Sequence, residues 1–251
     1  MPAISRFNVL GVSLRAMNLR VATAAILEAV RTRSKGYVCV TGVHGVIEAQ
    51  DDEGFRRILN AAFLNTTDGM PLVWLGRHYV GGEIDRVYGP DLMLEVFDAT
   101  QRGEATHFFY GGAPGVAEEL KAKLEARFPG VQVVGTYTPP FRPLEATEEA
   151  ELAALLAEKK PDLFWVGLST PKQERFMAEY LPKLETTVML GVGAAFDFHS
   201  GRVQQAPRWI QRSGFEWLYR LCSQPKRLAR RYLVNNPRFL WRIAGQLLGL
   251  R

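Results

Sequence analysis

The chain is poor in cysteine, in long apolar runs and, over its last fifty residues, in acid. Only Cys39 and Cys222 occur in 251 residues, with no CxxC and no Cys/His spacing. Neither a zinc framework nor a disulfide scaffold is indicated, and a reducing cytoplasm fits. No stretch reaches about 18 uninterrupted apolar residues. The opening MPAISRFNVLGVSL lacks the charged start and long apolar core of a signal peptide, so the expectation is neither a membrane span nor an export signal. The dinucleotide fingerprint GxGxxG and the P-loop pattern are absent as well.

The scarcity of acid is local. From Arg202 to Arg251 there are 11 Lys and Arg against Glu216 alone, which leaves 20 of the 31 basic and 25 of the 26 acidic residues before it. The formal charge of +5 therefore conceals an acidic body with a cationic tail.

What is present is a 47% apolar composition, ample for a buried core, and a repeating pattern of short apolar run, glycine or proline turn and amphipathic stretch. Thr106 to Tyr110 reads as a strand, Gly111 to Gly115 as its turn and Val116 to Arg127 as a helix. VQVVG, LFWVGL and TVMLGVG follow as strands, separated by helices over Thr147 to Lys160 and Pro171 to Leu184. Earlier, Val21 to Arg33 and Asp51 to Phe63 read as helices around the strand Tyr37 to Thr41. The expectation is an α/β fold: a Rossmann-like parallel sheet with helices on both faces, over residues 1–201, followed by a basic helical C-terminal appendage over 202–251.

In open parallel sheets ligands gather at the carboxyl ends of strands. Asp68, Gly111-Gly112, Ser169-Thr170 and Gly191 to Gly193 all fall there. In Thr67-Asp68-Gly69-Met70-Pro71 a carboxylate sits on a constrained turn, as a general base for a hydroxyl would; an Asx-turn or helix cap explains the same residues and has the stronger local claim. Either glycine turn, Gly111-Gly112 or Gly191-Val192-Gly193, could approach a phosphate. Ser169 to Glu174 offers polar groups for a ligand, or an ordinary helix start. The basic tail suits a polyanion, and Phe239, Leu240, Ile243, Ala244, Leu247 and Leu248 recur at helical intervals beside Arg238 and Arg242, as in an interfacial membrane helix.

Taken in order, these segments resemble the WecG/TagA/CpsF family, glycosyltransferase family 26. The resemblance is carried by Asp68-Gly69-Met70-Pro71 with Val73-Trp74, by Arg86 and Gly89-Pro90-Asp91-Leu92-Met93, and by Gly111-Gly112 with Pro114-Gly115. Gly167 with Pro171-Lys172-Gln173-Glu174, Gly191-Val192-Gly193-Ala194 with Phe196-Asp197, Ala206-Pro207, and Gly214 to Arg220 complete it, from about Phe7 to Tyr232. It implies an inverting, metal-independent transfer from a UDP-sugar to a polyprenyl-pyrophosphate-linked acceptor during bacterial surface polysaccharide assembly. The place of work would be the cytoplasmic, inner face of the plasma membrane. The missing DxD pair and metal-ligand spacing agree with metal independence, and no cofactor is implied beyond the substrate.

By this resemblance Asp68 is the base, Gln173 and Thr41 position the sugar, and Gly111, Gly112, Gly191, Gly193 and Asp197 belong to the substrate site. Some of Arg208, Arg212 and Arg220 neutralise the leaving diphosphate. The tail covers the active site and touches an anionic membrane surface. Where many members carry asparagine, this chain has His44, which either replaces that contact, transfers protons or is structural. The competing reading is a non-catalytic nucleotide- or RNA-binding protein using the same body and tail; the enzyme reading has no nucleic-acid partner. Self-association into a homo-oligomer stays open.

Overall fold

Along Leu163-Phe164-Trp165-Val166 successive side chains turn to opposite sides, Leu163 and Trp165 into one core and Phe164 and Val166 into another. This is the period of two of an extended strand buried on both faces. A computed structural model describes residues 4–250 and places that strand inside a six-stranded parallel sheet.

The chain runs β1 (Arg6–Val9), β2 (Val12–Arg15), α1 (Leu19–Arg31), β3 (Gly36–Thr41), α2 (Val43–Asp51), α3 (Glu53–Ala61), β4 (Leu64–Thr67), α4 (Met70–Val80) and α5 (Gly89–Ala99). It continues through β5 (Thr106–Gly111), α6 (Val116–Arg127), β6 (Gln132–Tyr137), α7 (Ala146–Lys159), β7 (Leu163–Gly167), α8 (Lys172–Tyr180), β8 (Val188–Gly191) and α9 (Ala195–His199). The helices α10 (Arg208–Ser213), α11 (Glu216–Ser223) and α12 (Pro225–Leu247) follow. The large sheet has the order β4-β3-β8-β7-β5-β6 with every neighbouring pair parallel, and β1 and β2 form a separate antiparallel hairpin. The α/β parallel-sheet expectation holds.

Side chains of α1, α5, α6 and α9 fill one face of the sheet, among them Ile26, Phe97, Leu120 and Phe196. Those of α2, α3, α7, α8 and the hairpin fill the other, among them Ile47, Phe55, Leu152, Met177 and Leu14. Each such burial contributes roughly 1.5–3 kcal/mol. Helix starts follow their sequence signals: Asn18 accepts from Val21 N at 3.0 Å, Asp52 from Phe55 N at 2.8 Å, and Glu145 with Glu148 closes a capping box on α7.

The C-terminal segment is tied to the body. Leu228, Asn235, Phe239 and Ile243 of α12 are buried, Arg238 pairs with Asp51 at 2.6 Å, and Gln246 accepts from Leu10 N at 2.7 Å. This corrects the expected interfacial stripe. Phe239 and Ile243 belong to the core, while Leu240, Trp241, Leu247 and Leu248 remain exposed.

Candidate active site

Asp68 stands one residue beyond β4, held on both sides of its backbone. Its N–H donates to Thr41 O of the neighbouring strand at 2.9 Å, and its carbonyl accepts from Arg86 Nε. The following helix α4 has Gly69 as N-cap and Pro71 in its first turn. Asp68 therefore caps no helix. Its Oδ1 is closed from solvent and has no hydrogen-bond partner, while the side chain as a whole is 29% exposed.

Burial raises the carboxyl of Asp68 above the usual aspartate range against the pull of Arg86; Glu216 raises it further, and Arg220 and Arg231 lower it. The guanidinium of Arg86 comes within 3.8 Å of Asp68 Oδ1 but is held at 2.6 Å by Glu216 Oε2.

Two clefts meet at this carboxylate. The first, at the ends of β3, β7 and β8, is lined by Gly45, Ser169, Thr170, Gln173, Gly191 and Gly193 together with Tyr88, Pro90 and Arg227. The second, about 230 Å³, is lined by His44, Met70, Pro71, Trp217, Tyr232, Asn235, Phe239 and Leu240. Gly42, Asp68, Arg220 and Arg231 line both. A carboxylate and two guanidinium groups thus stand on the common wall of a polar cleft and a more apolar one, an arrangement that can serve proton removal on one side and anion stabilisation on the other.

The expected residues distribute unevenly. Gln173 is buried in the first cleft; its Nε2 donates to Glu174 Oε1 at 3.0 Å and its Oε1 has no partner. Gly191 borders the same cleft, and a Cβ there would come within 2.7 Å of Met177 Cε and 3.0 Å of Gln173 Nε2, so a side chain would displace the Gln173 amide. Gly193 has φ +51° and borders the same cleft. Thr41 lies beneath the site, donating to Asn65 Oδ1 at 2.6 Å.

His44 faces the second cleft. Burial first and Arg231 second lower its pKa to about 4, against a hydrogen bond to the Thr170 backbone. Arg220 is on the common wall, but Arg208 and Arg212 are not among the residues lining either cleft; Arg208 pairs with Asp91 at 2.6 Å. Asp197 lies beside the first cleft, 3.6 Å from Arg227. Gly111 and Gly112 line neither cleft. A Cβ at Gly111 would come within 2.8 Å of Gly167 O, and one at Gly112 within 2.9 Å of Val116, so chain packing accounts for both glycines.

Arg86, Arg227 and Arg231 are the cations that residue-by-residue reading of the site passed over. Arg227 and Arg231 are spaced i, i+4, which puts them on one face of α12, and that spacing was the available signal. For Arg86 none existed locally, because its place depends on Glu216, 130 positions later in the chain. Among the described residues no three His, Cys, Asp or Glu side chains are grouped so as to hold a metal ion, and no helix is long and apolar enough to cross a membrane.

The family model described as "Glycosyl transferase WecG/TagA/CpsF family" matches residues 7–251. A relative from Bacillus spizizenii, an N-acetylglucosaminyldiphosphoundecaprenol N-acetyl-beta-D-mannosaminyltransferase, is 29% identical over 210 residues, covering 83% of this chain and 79% of that protein.

Proposed function

The chain belongs to the WecG/TagA/CpsF family of glycosyl transferases, and from that membership we propose that it moves a sugar from a UDP-sugar to a polyprenyl-diphosphate-linked saccharide, with Asp68 as general base. The observation that carries the reading is the common wall: Asp68, Arg220 and Arg231 border both clefts. The donor occupies the polar cleft, with its diphosphate toward Arg220, Arg231 and Arg227. The acceptor saccharide enters the wider cleft.

Asp68 takes the proton of the attacking hydroxyl as that oxygen bonds to the anomeric carbon and the bond to the UDP oxygen breaks on the opposite face, inverting the centre. Arginine suits the leaving diphosphate because its charge persists and its fork matches phosphate oxygens. With three such cations at the cleft, the transfer proceeds without a metal ion. The named relative acts on a diphosphoundecaprenol-linked sugar, which makes a UDP-activated N-acetylmannosamine and a GlcNAc-diphosphoprenol the first pair to test.

The acceptor side has an apolar rim consistent with a lipid-borne substrate at the inner face of the membrane. Leu240 borders the wider cleft and is 66% exposed, and Trp74 lies against Gly214 on the same cleft. The arrangement of the tail cations favours the enzyme reading over the nucleic-acid alternative. Arg220 and Arg231 turn inward to the clefts, and Arg202, Arg208, Arg227 and Arg238 each face a carboxylate of the body. The test is incubation with a panel of UDP-sugars and a short prenyl-diphosphate-linked GlcNAc, with and without EDTA. Transfer that survives EDTA is expected; RNA retention without turnover of any donor would overturn the reading.

A further inference from the structure

Glu216 is the only acid between Arg202 and Arg251, and it is turned into the site. Its Oε1 accepts from Tyr88 Oη at 2.7 Å and its Oε2 meets Arg86 Nη1 at 2.6 Å. The Tyr88 ring lies under the same guanidinium, 3.8 Å from its carbon. Arg86 is thus engaged on three sides: Nε on the Asp68 carbonyl, Nη1 in an ion pair with Glu216 Oε2 that lacks hydrogen-bond geometry, and its flat face on Tyr88. Nη2 is left 3.8 Å from Asp68 Oδ1, beyond hydrogen-bond distance, and Oδ1 stays without a partner.

We propose that Glu216 is a positioning residue for the base: by holding Arg86 it keeps the guanidinium from closing on Asp68, so that the carboxylate stays free to accept a proton. The inference rests on the reading of Asp68 as general base. The charges facing Asp68 come from three places. Arg86 lies just before α5, Glu216 and Arg220 are on α11, and Arg231 is on α12. Three are cations, which stabilise the ionised carboxylate and weaken it as a base. Glu216 is the one anion that opposes them, and it also occupies the nearest of the three. Neutral His44 shares the wider cleft and adds no charge near neutral pH.

The consequence is a link between parts of the chain. Glu216 is carried by α11, whereas Asp68 and Arg86 belong to the α/β body. The hold on Arg86 therefore exists only when the C-terminal segment is seated. Replacing Glu216 by a neutral residue removes the opposing charge and releases Arg86 toward Asp68. Both effects lower the pKa of the carboxyl.

The experiment compares the wild-type chain with Glu216→Gln and Glu216→Asp. In each, the pH dependence of kcat is measured, and the Asp68 carboxyl is titrated by NMR in ligand-free protein carrying [13C]aspartate, with Asp68→Asn assigning the resonance. In Glu216→Gln the Asp68 titration and the acid limb of kcat are expected about one pH unit lower, the usual size of such an ion-pair effect. The plateau of kcat should fall several-fold with a smaller change in donor KM. Glu216→Asp keeps the charge on a shorter arm and should lie between the two; if Glu216→Gln does not fold, a downward shift in Glu216→Asp carries the inference and no shift overturns it. An unmoved Asp68 titration in folded Glu216→Gln overturns it too, even with Asp68→Asn inactive. Wild-type turnover by Asp68→Asn would instead remove the base reading itself, and this inference with it.

Discussion

The side-chain amide of Asn235 and ring Nδ1 of His44 meet at 2.7 Å, joining α12 to the first turn of α2 at the edge of the wider cleft. With a pKa lowered to about 4 by burial, this ring is neutral and a poor proton acceptor near pH 7. We expect His44→Gln, which retains hydrogen-bonding capacity, to keep transfer within about tenfold of wild type. A loss on the order of 10²–10⁴, the range for removing a general acid or base, would show that His44 moves protons after all.

The same residue has a signature in stability. Its folded pKa lies below the unfolded value of about 6.5, so its contribution is complete above pH 6.5 and is lost as pH falls toward 4, where the folded ring at last takes up the proton. Melting temperatures between pH 7.5 and 4.5 should fall less steeply in His44→Gln than in the wild-type chain. Parallel curves would remove His44 from the acid response.

The arginines divide by position. Arg220→Lys and Arg231→Lys give up the planar fork at the common wall, and each should weaken UDP binding or turnover by about 10- to 100-fold, the worth of a hydrogen bond to a charged group. Arg208→Ala should have little effect on either. Its contact with Asp91 is made by a side chain that is 67% exposed, and such surface pairs contribute about 0–1 kcal/mol. Calorimetric titration with UDP and initial rates check both expectations; equal losses at Arg208 and Arg220 would extend the diphosphate site beyond the common wall.

Membrane contact, if it follows the apolar rim, depends on exposed side chains of α12 rather than on its charge alone. Leu240→Asp combined with Trp241→Asp leaves the buried Phe239 and Ile243 untouched. Sedimentation with anionic liposomes at moderate salt should show the variant largely in the supernatant while the wild-type chain pellets. Equal partitioning would move the lipid contact elsewhere.

The second half of the fold was legible because β7 and β8 are uninterrupted apolar runs closed by glycine, and β5 ends on the aromatic run Phe108-Phe109-Tyr110 before Gly111. The hairpin β1–β2 was not. Its turn is Leu10-Gly11, with Leu10 itself at φ +53°, and leucine carries none of the usual signal for a left-handed turn position. The helices α4 and α5 open on Met70-Pro71 and Gly89-Pro90, and proline in a first turn resembles a loop until its context is known.

The candidate site was partly legible for the same kind of reason. Asp68, Gln173, Gly191 and Gly193 sit at strand ends that local pattern locates. Arg86 and Glu216 owe their roles to each other across the body and the C-terminal segment. Arg208 looked equivalent to Arg220 because helix-sized spacing carries no information about which face an appendage turns inward.

The most direct measurement is Asp68→Asn, assayed for UDP binding by calorimetry and for sugar transfer by product formation. Asparagine preserves shape but cannot take up the hydroxyl proton. UDP should bind with close to wild-type affinity while transfer falls by about 10²–10⁴, as for loss of a general base; transfer at the wild-type rate would contradict the account.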